Sequence, residues 1–413
     1  MVNQFIPDIL QFYLLIKHMN KNLERLHQVA QKPERIILGL MSGTSLDGLD
    51  MALCKVQGAG VATEIELLKF YTYPYSSPQR HRLQEIVSQT EVSLQNLTIL
   101  HSWLGELHAR FILETLEQWE IKPQEIDLLA SHGQTVYHAP KSLHNLLTLP
   151  NATLQLGDGD HLAVKTGILT VSDFRQKHVA IGQEGAPLAP YADFVLFGHH
   201  EKPRILLNIG GLANYTYLSP NQEVSQVFAT DTGPGNVLID WAIKEYFAPQ
   251  TYDRGGAIAR RGKVHKEFLE ALKSHVFFEE KLPKTTGKEL FNVDYIAQAI
   301  GKISRALIRP EDWVATLTRF TAETIAEAIQ ATPDFAQAEI IVSGGGYHNT
   351  CLLDWLAELL PDNQFLDITK VRKISPDAKE AVLMALLANE CVVGEGFVLG
   401  DAPALTMGKI SFA

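Results

Sequence analysis

The chain has 413 residues, 46% of them hydrophobic and 20% charged, with a net charge of −11; this is the balance of a globular protein too long for one core, and two domains of ordinary size are expected. So acidic a chain is not built to neutralise nucleic-acid phosphates, although local backbone dipoles can still bind one small anion. Three cysteines (Cys54, Cys351, Cys391) without CxxC spacing exclude a disulfide scaffold and a cysteine-rich zinc site, and suit a reducing cytoplasm.

Residues 1–34 are expected to form an N-terminal extension. Their apolar run FIPDILQFYLLI is interrupted by Asp8, is too short to span a bilayer, and has neither a basic flank nor a cleavage site. Residues 1–32 therefore read as an amphipathic helix or a disordered arm, with no membrane segment. Patterned sequence begins at Arg35. RIILGLMS is a strand feeding a glycine loop, and DMALCKVQ and EIELLKFYTYPY are the next two strands. This meander differs from a Rossmann unit, in which strand one leads directly into a helix. From Ser77 to Glu120 the pattern is helical; IDLLASHGQT is then a buried strand, TLQLGDGDHLAVKTG a strand, turn and helix, and ILTVSDFR another strand.

The second half repeats the plan. RILLNIGGLANYTYL (204–218) reads as a hairpin around a Gly-Gly turn, VSQVFATDTGPGN as a strand entering a glycine loop, and NVLIDWAIKEYF as a helix. Residues 257–335 read as mainly helical, AEIIVSGGGYHN as a strand into a triple-glycine turn, CLLDWLAELL as a helix, and DAKEAVLMALLANECV as a tail helix. The expected fold is α/β, with two similar lobes and a ligand cleft between them. Domain I is expected over 35–200, domain II over 201–379 with the junction in FGHHEKPR (197–204), and a C-terminal helix and tail over 380–413 packing back toward domain I.

Four glycine loops at strand ends carry the chemistry. Gly43-Thr44-Ser45-Leu46-Asp47-Gly48 has the glycine spacing of a P-loop without its lysine, since Leu49 and Asp50 follow. Its backbone N–H groups and hydroxyls suit phosphate oxygens, and its acids make sense there if Mg²⁺ intervenes. NIGGLANYT (208–216) and TDTGPGN (230–236) are matching turns in the second half, the latter carrying Asp231. SGGGYHN (343–349) lets a flat group such as a purine lie against backbone. One such loop is an ordinary turn; four, in two similar halves, fit a nucleotide held by a hairpin from each lobe. That is the plan of the sugar kinase, Hsp70 and actin superfamily. On the acceptor side, SHGQT places His132 and Gln134 at one strand end and SDFR places Asp173 and Arg175 at another. An acid there suits a general base, and Arg175 suits the charge on a substrate or transferring phosphoryl group. His138, His199 and His200 have no closely spaced partner, which argues against zinc.

With these motifs in view, the sequence resembles the anhydro-N-acetylmuramic acid kinase family. The matching stretches are GLMSGTSLDGLD, SHGQTVYH, TLQLGDG, SDFR, GAPLAP, LNIGGLAN, TDTGPGN, TGKELFN, SGGGYHN and KEA, in the family's order. The resemblance implies ATP-dependent opening of the 1,6-anhydro bond by water and phosphorylation of the freed O6, in peptidoglycan recycling. By the same resemblance Asp173 is the base that activates the water. Residues 43–48 bind phosphates with Asn208, Gly210, Gly211, Asp231, Gly233, Gly235 and Asn236, and Gly344, Gly345 and Gly346 lie near the adenosine. His132, Gln134, Arg175 and Glu380 contact the sugar. ATP and Mg²⁺ are the implied cofactors, with Asp47 and Asp231 both open as the acid nearer the metal. The implied partner is a small-molecule substrate in the cytoplasm, without nucleic acid or membrane, and a homodimer is the assembly considered. A related kinase for another sugar and a non-catalytic actin-like nucleotide-binding protein are the competing readings; an acid at position 173 favours an enzyme, because a binding module needs no base there.

Overall fold

The computed structural model describes residues 20–413 except 44, 147, 186–187, 200, 221–225, 288, 302, 304–307, 372–373 and 397–403. Thr44, Ala186, Pro187 and His200 therefore lie outside the described residues. The chain divides into two compact units: residues up to Ala192 with Asp377–Ala413, and Asp193–Pro376. The crossover falls within the helix Ala189–Phe197.

The first unit is built on a seven-stranded sheet. Strands β1 (Glu34–Ser42), β2 (Gly48–Gln57) and β3 (Glu64–Pro74) form an antiparallel meander. Strand β4 (Leu128–Ala139) adds parallel to β1, and β6 (Thr170–Ser172) parallel to β4. Strand β5 (Ala152–Leu156) folds back on β4. The second unit has five strands. There β7 (Arg204–Ile209), β8 (Leu212–Leu218) and β9 (Phe228–Pro234) form the meander, and β10 (Glu339–Ser343) and β11 (Gln364–Asp367) add in parallel. The order β6-β4-β1-β2-β3 is matched by β11-β10-β7-β8-β9. Two α/β lobes with one strand order are the sugar kinase/Hsp70/actin fold class expected from the sequence.

Near-continuous burial along β1 and β4 explains their apolar runs, because helices cover both faces of the parallel part of the sheet. The helix Leu94–Gln118 turns Leu100, Leu104, Leu107, Phe111 and Leu116 inward at helical spacing; each such side chain contributes about 1.5–3 kcal/mol on burial. The C-terminal helix Lys379–Val393 lies so close to β1 that a Cβ at Gly39 would sit 1.9 Å from the Ala381 carbonyl. That contact brings Glu380, in the helix's first turn, to the sheet edge where the glycine turn emerges.

Several local expectations are corrected. The helical run 77–120 is two helices, Ser77–Gln84 and Leu94–Gln118, the second begun by the Ser93 side chain accepting from Asn96 N–H. Helix within 257–335 is broken into Lys266–Lys273, Val293–Ile300 and Pro310–Gln330. The tail holds more than a helix: β12 (Lys409–Ser411) pairs antiparallel with β6. Of the N-terminal extension, Lys21–Gln31 is helical, with Val29 buried and Arg25 donating to the Gly167 carbonyl. Among the described residues no helix is long and apolar enough to cross a membrane.

Candidate active site

In the first unit, the turn between β1 and β2 is held from beneath. Leu46 takes φ +57 and drives its side chain into the hydrophobic core, while its carbonyl accepts from Arg80 Nε at 3.0 Å. Leu46 thus offers a ligand only its backbone. Ser45 and Asp47 are exposed. Gly48 pairs with Pro74, and a Cβ there would meet the Tyr73 carbonyl at 2.2 Å. Ser42 donates to Gln134 Oε1 at 2.6 Å and lies 2.9 Å from the Tyr75 hydroxyl, which is 2.6 Å from His108 Nε2. Gln134 is accordingly fully buried. Expected at the sugar, its side chain is instead engaged by Ser42 at the end of β1. The reason is a bulge: Leu40 pairs with Ser131 and Ser42 with Gln134, one extra residue on β4, accommodated by Gly133 at φ +73.

Beside this turn lies a cavity of about 450 Å³, lined by Ser42, Gly43 and Ser45 from the turn and by His132, Arg175 and Glu380 among others; the size suits a small-molecule site. His132 is buried, and both ring nitrogens are engaged. Nδ1 lies 2.8 Å from the Gly133 carbonyl, and Nε2 accepts from Arg175 Nε at 2.9 Å. The carbonyl can only accept, so the proton belongs on Nδ1 and the ring is neutral. Burial, and then the Arg175 charge, push its pKa down to about 4. His132 is therefore no acid or base near neutral pH; it orients Arg175. Arg175 also donates Nη1 to the Gly185 carbonyl at 2.8 Å, and its Nη2 has no partner among the described residues. Glu380 has its pKa raised by burial and then by Asp50, against the opposing charges of Lys379 and Arg175. A carboxyl held high in a cavity can give or take a proton nearer neutrality than a surface one.

Asp173 follows β6 directly, two residues before Arg175. It is held at φ +57, a left-handed conformation that aspartate tolerates at a cost of about 1 kcal/mol. Its Oδ2 accepts from Lys409 Nζ at 2.9 Å. Asp173 is not among the residues lining the cavity, although Arg175, two residues on, is; backbone strain at a polar residue is a common mark of a functional position.

In the second unit, the Gly210–Gly211 turn is clamped by the next glycine loop. Gly235 N donates to the Gly211 carbonyl at 2.9 Å, and Asn236 donates to the Gly210 carbonyl through its backbone N at 2.8 Å and Nδ2 at 2.9 Å. A Cβ at Gly235 would lie 2.4 Å from the Gly210 oxygen. Gly233, at φ +137, pairs with Ala213. Asp231 accepts from Thr286 N–H at 2.8 Å, and burial raises its pKa; it ties the segment after Lys284 to β9. Gly344 takes φ +84, and Cβ atoms at Gly344 or Gly346 would collide with Asn208 and Ile209. Asn236 and Gly345 line a second cavity, of about 630 Å³, with Asp253, Arg254 and His348 among its walls.

The anhydro-N-acetylmuramic acid kinase family model matches residues 35–405. The anhydro-N-acetylmuramic acid kinase of Pseudoalteromonas atlantica is 47% identical over 399 residues, covering 95% of this chain and 100% of the relative. The Pseudoalteromonas translucida protein of the same name is 45% identical, with 96% and 100% covered. That of Caldanaerobacter subterraneus subsp. tengcongensis is 37% identical, with 94% and 100% covered. The chain belongs to the anhydro-N-acetylmuramic acid kinase family. It is an enzyme, a kinase.

For this kinase, sequence reasoning overlooked residues that reach the cavities from elsewhere in the chain. Thr135, His138 and Thr153 line the first cavity. Tyr252, Asp253 and Arg254 line the second, in a loop where Asp253 accepts from the N–H groups of Ile258 and Ala259 and a Cβ at Gly256 would lie 2.3 Å from Asn349 Oδ1. The acid beside paired glycines in DRGG was the available signal. Lys409 had none.

Proposed function

We propose that this kinase opens the 1,6-anhydro bridge of anhydro-N-acetylmuramic acid with water and phosphorylates the freed O6 from ATP, giving N-acetylmuramic acid 6-phosphate and ADP in peptidoglycan recycling. The observation that carries this reading is one cavity whose walls combine the phosphate-turn residues Ser42, Gly43 and Ser45 with Arg175 and Glu380. Sugar-binding groups and phosphate-binding groups facing one space suit a reaction in which the sugar oxygen leaves carbon and attacks phosphorus.

The chemistry follows from the residues. Asp173 takes a proton from water as the water oxygen bonds to the anomeric carbon. The C1–O6 electron pair goes to O6, which attacks the γ-phosphorus while the bond to the ADP oxygen breaks. The new nucleophile is thus generated already in place, which removes the entropy cost of a second encounter. Arg175, fixed by His132 and Gly185, offsets developing negative charge, and Glu380 bonds a sugar hydroxyl. The second unit is assigned the rest of the nucleotide: Gly210, Gly211, Gly233 and Gly235 the phosphates, and Gly344–Gly346 with the Asn236 cavity the adenosine. No group of three or more His, Cys, Asp or Glu among the described residues forms a metal cage. Mg²⁺ needs none when it arrives on phosphates and keeps most of its waters. Exposed Asp47 fits that arrangement; Asp231, half-committed to Thr286, fits through its remaining oxygen. The ion would neutralise phosphate charge. An ATP-fed recycling step of this kind belongs in the cytoplasm.

Incubation with ATP, Mg²⁺ and anhydro-N-acetylmuramic acid, read by mass spectrometry, tests the proposal. Wild type should form the phosphosugar, and Asp173→Asn should slow it by about 10³-fold. No product from wild type would sink the substrate assignment; undiminished turnover in Asp173→Asn would sink the base.

A further inference from the structure

One charged contact beside the reacting carboxylate has no role in this scheme. Lys409 opens β12, and the β12–β6 register sets it opposite Ser172, one residue before Asp173. Its ammonium donates to Asp173 Oδ2 at 2.9 Å, and Oδ1 has no partner among the described residues. The Lys409 side chain is 70% exposed and that of Asp173 28% exposed. So open an ion pair adds little to folding, because water screens it and two side chains must be ordered to make it. The Lys409 pKa is raised, first by its hydrogen bond to Asp173, so the ammonium remains charged throughout the working range. The contact joins residues 236 apart, and Lys409 lies beyond position 405, where the family match ends.

We propose that Lys409 is a positioning residue for Asp173: by occupying Oδ2 it fixes the carboxylate plane and presents Oδ1 to the attacking water. This rests on reading Asp173 as the base. In that step a water O–H bond breaks, its proton passes to Oδ1, and the water oxygen forms the new bond to the anomeric carbon as the C1–O6 pair departs. Tethered at one oxygen, the carboxylate is biased toward the orientation that presents Oδ1 to the water, a bias of the size an exposed pair supplies. Lys409 lines neither cavity, so its loss should act on turnover and not on binding.

Steady-state kinetics of the full chain with ATP, Mg²⁺ and anhydro-N-acetylmuramic acid test this in Lys409→Met, Lys409→Arg and Asp173→Asn. Lys409→Met should lower kcat about 5-fold with both KM values within twofold. Lys409→Arg, which keeps the charge and the donor, should regain at least half of wild-type kcat. Thermal midpoints should agree within about 2 °C, as for any exposed pair; should the Met variant fall below that, Lys409→Gln provides the same kinetic reading. A Lys409→Met kcat within twofold of wild type, a rise in sugar KM at constant kcat, or an Arg variant as slow as Met would each overturn the proposal. If Asp173→Asn is inactive while Lys409→Met is normal, only the Lys409 role fails. If Asp173→Asn turns over normally, the base assignment fails first.

Discussion

Ser131 within β4 and Ser343 at the end of β10 occupy the same rung of two sheets with one strand order, yet the residues that follow present opposite surfaces. Ser131 pairs with Leu40, and Ser343 with Asn208, each one residue before the last pair of its hairpin, Met41↔Asp50 or Ile209↔Ala213. After Ser131 the chain offers side chains: His132, which fixes Arg175, and Gln134, which fixes Ser42. After Ser343 it offers bare backbone, Gly344–Gly346, pressed against Asn208 and Ile209. One scaffold thus yields a polar end suited to a hydroxyl-rich sugar and a smooth end suited to a flat base.

If that division holds, substitutions at the two ends should separate the two substrates. The largest effect is expected at the polar end. Arg175→Met removes the guanidinium that offsets developing charge and leaves His132 Nε2 unpaired, so kcat/KM for the sugar should fall about 100-fold while the KM for ATP stays within twofold. At the smooth end, Gly344→Ala places a Cβ 2.6 Å from Asn208 Oδ1 at φ +84. This costs about 2 kcal/mol, or roughly 30-fold, and should appear in the KM for ATP. Both variants shifting the same KM would break the comparison.

The smallest effect concerns what holds each turn. The second unit's turn is tied by amides of Gly235 and Asn236, which do not titrate. The first unit's turn is tied through Ser42 and Tyr75 to His108, whose pKa burial pushes down to about 3. The unfolded chain binds this proton near pH 6.5 and the folded chain only near 3, so stability is full above 6.5 and falls with acid until about 3. Between pH 7.5 and 5.5, wild type should lose about 1 kcal/mol more than His108→Gln, by denaturant unfolding. Acids with raised pKa values, such as Glu380 and Asp50, shift the opposite way, but they do so in both proteins and cancel in the difference. Equal slopes would contradict the buried neutral state of His108.

Much of this was legible because it is local. The β-meanders, the glycine turns and the acid closing a strand each follow from periodicity and turn chemistry within about ten residues. What escaped is long-range or depends on a single backbone irregularity. Period-two alternation puts His132 and Gln134 on one face, and only the bulge at Gly133 sends Gln134 to Ser42. Leu46 reads as a loop residue, but its side chain plugs the core. The three-residue β12 has no pattern of its own, so neither its pairing with β6 nor the Lys409–Asp173 contact had any sequence signature.

The central claim, that water attacks the sugar and the sugar attacks phosphorus, is tested most directly by running the reaction in ¹⁸O-water and reading the product by mass spectrometry within minutes. The account predicts one ¹⁸O at the anomeric hydroxyl and none in the phosphoryl group. Label in the phosphoryl group, or a phosphorylated sugar with no label at C1, would contradict it.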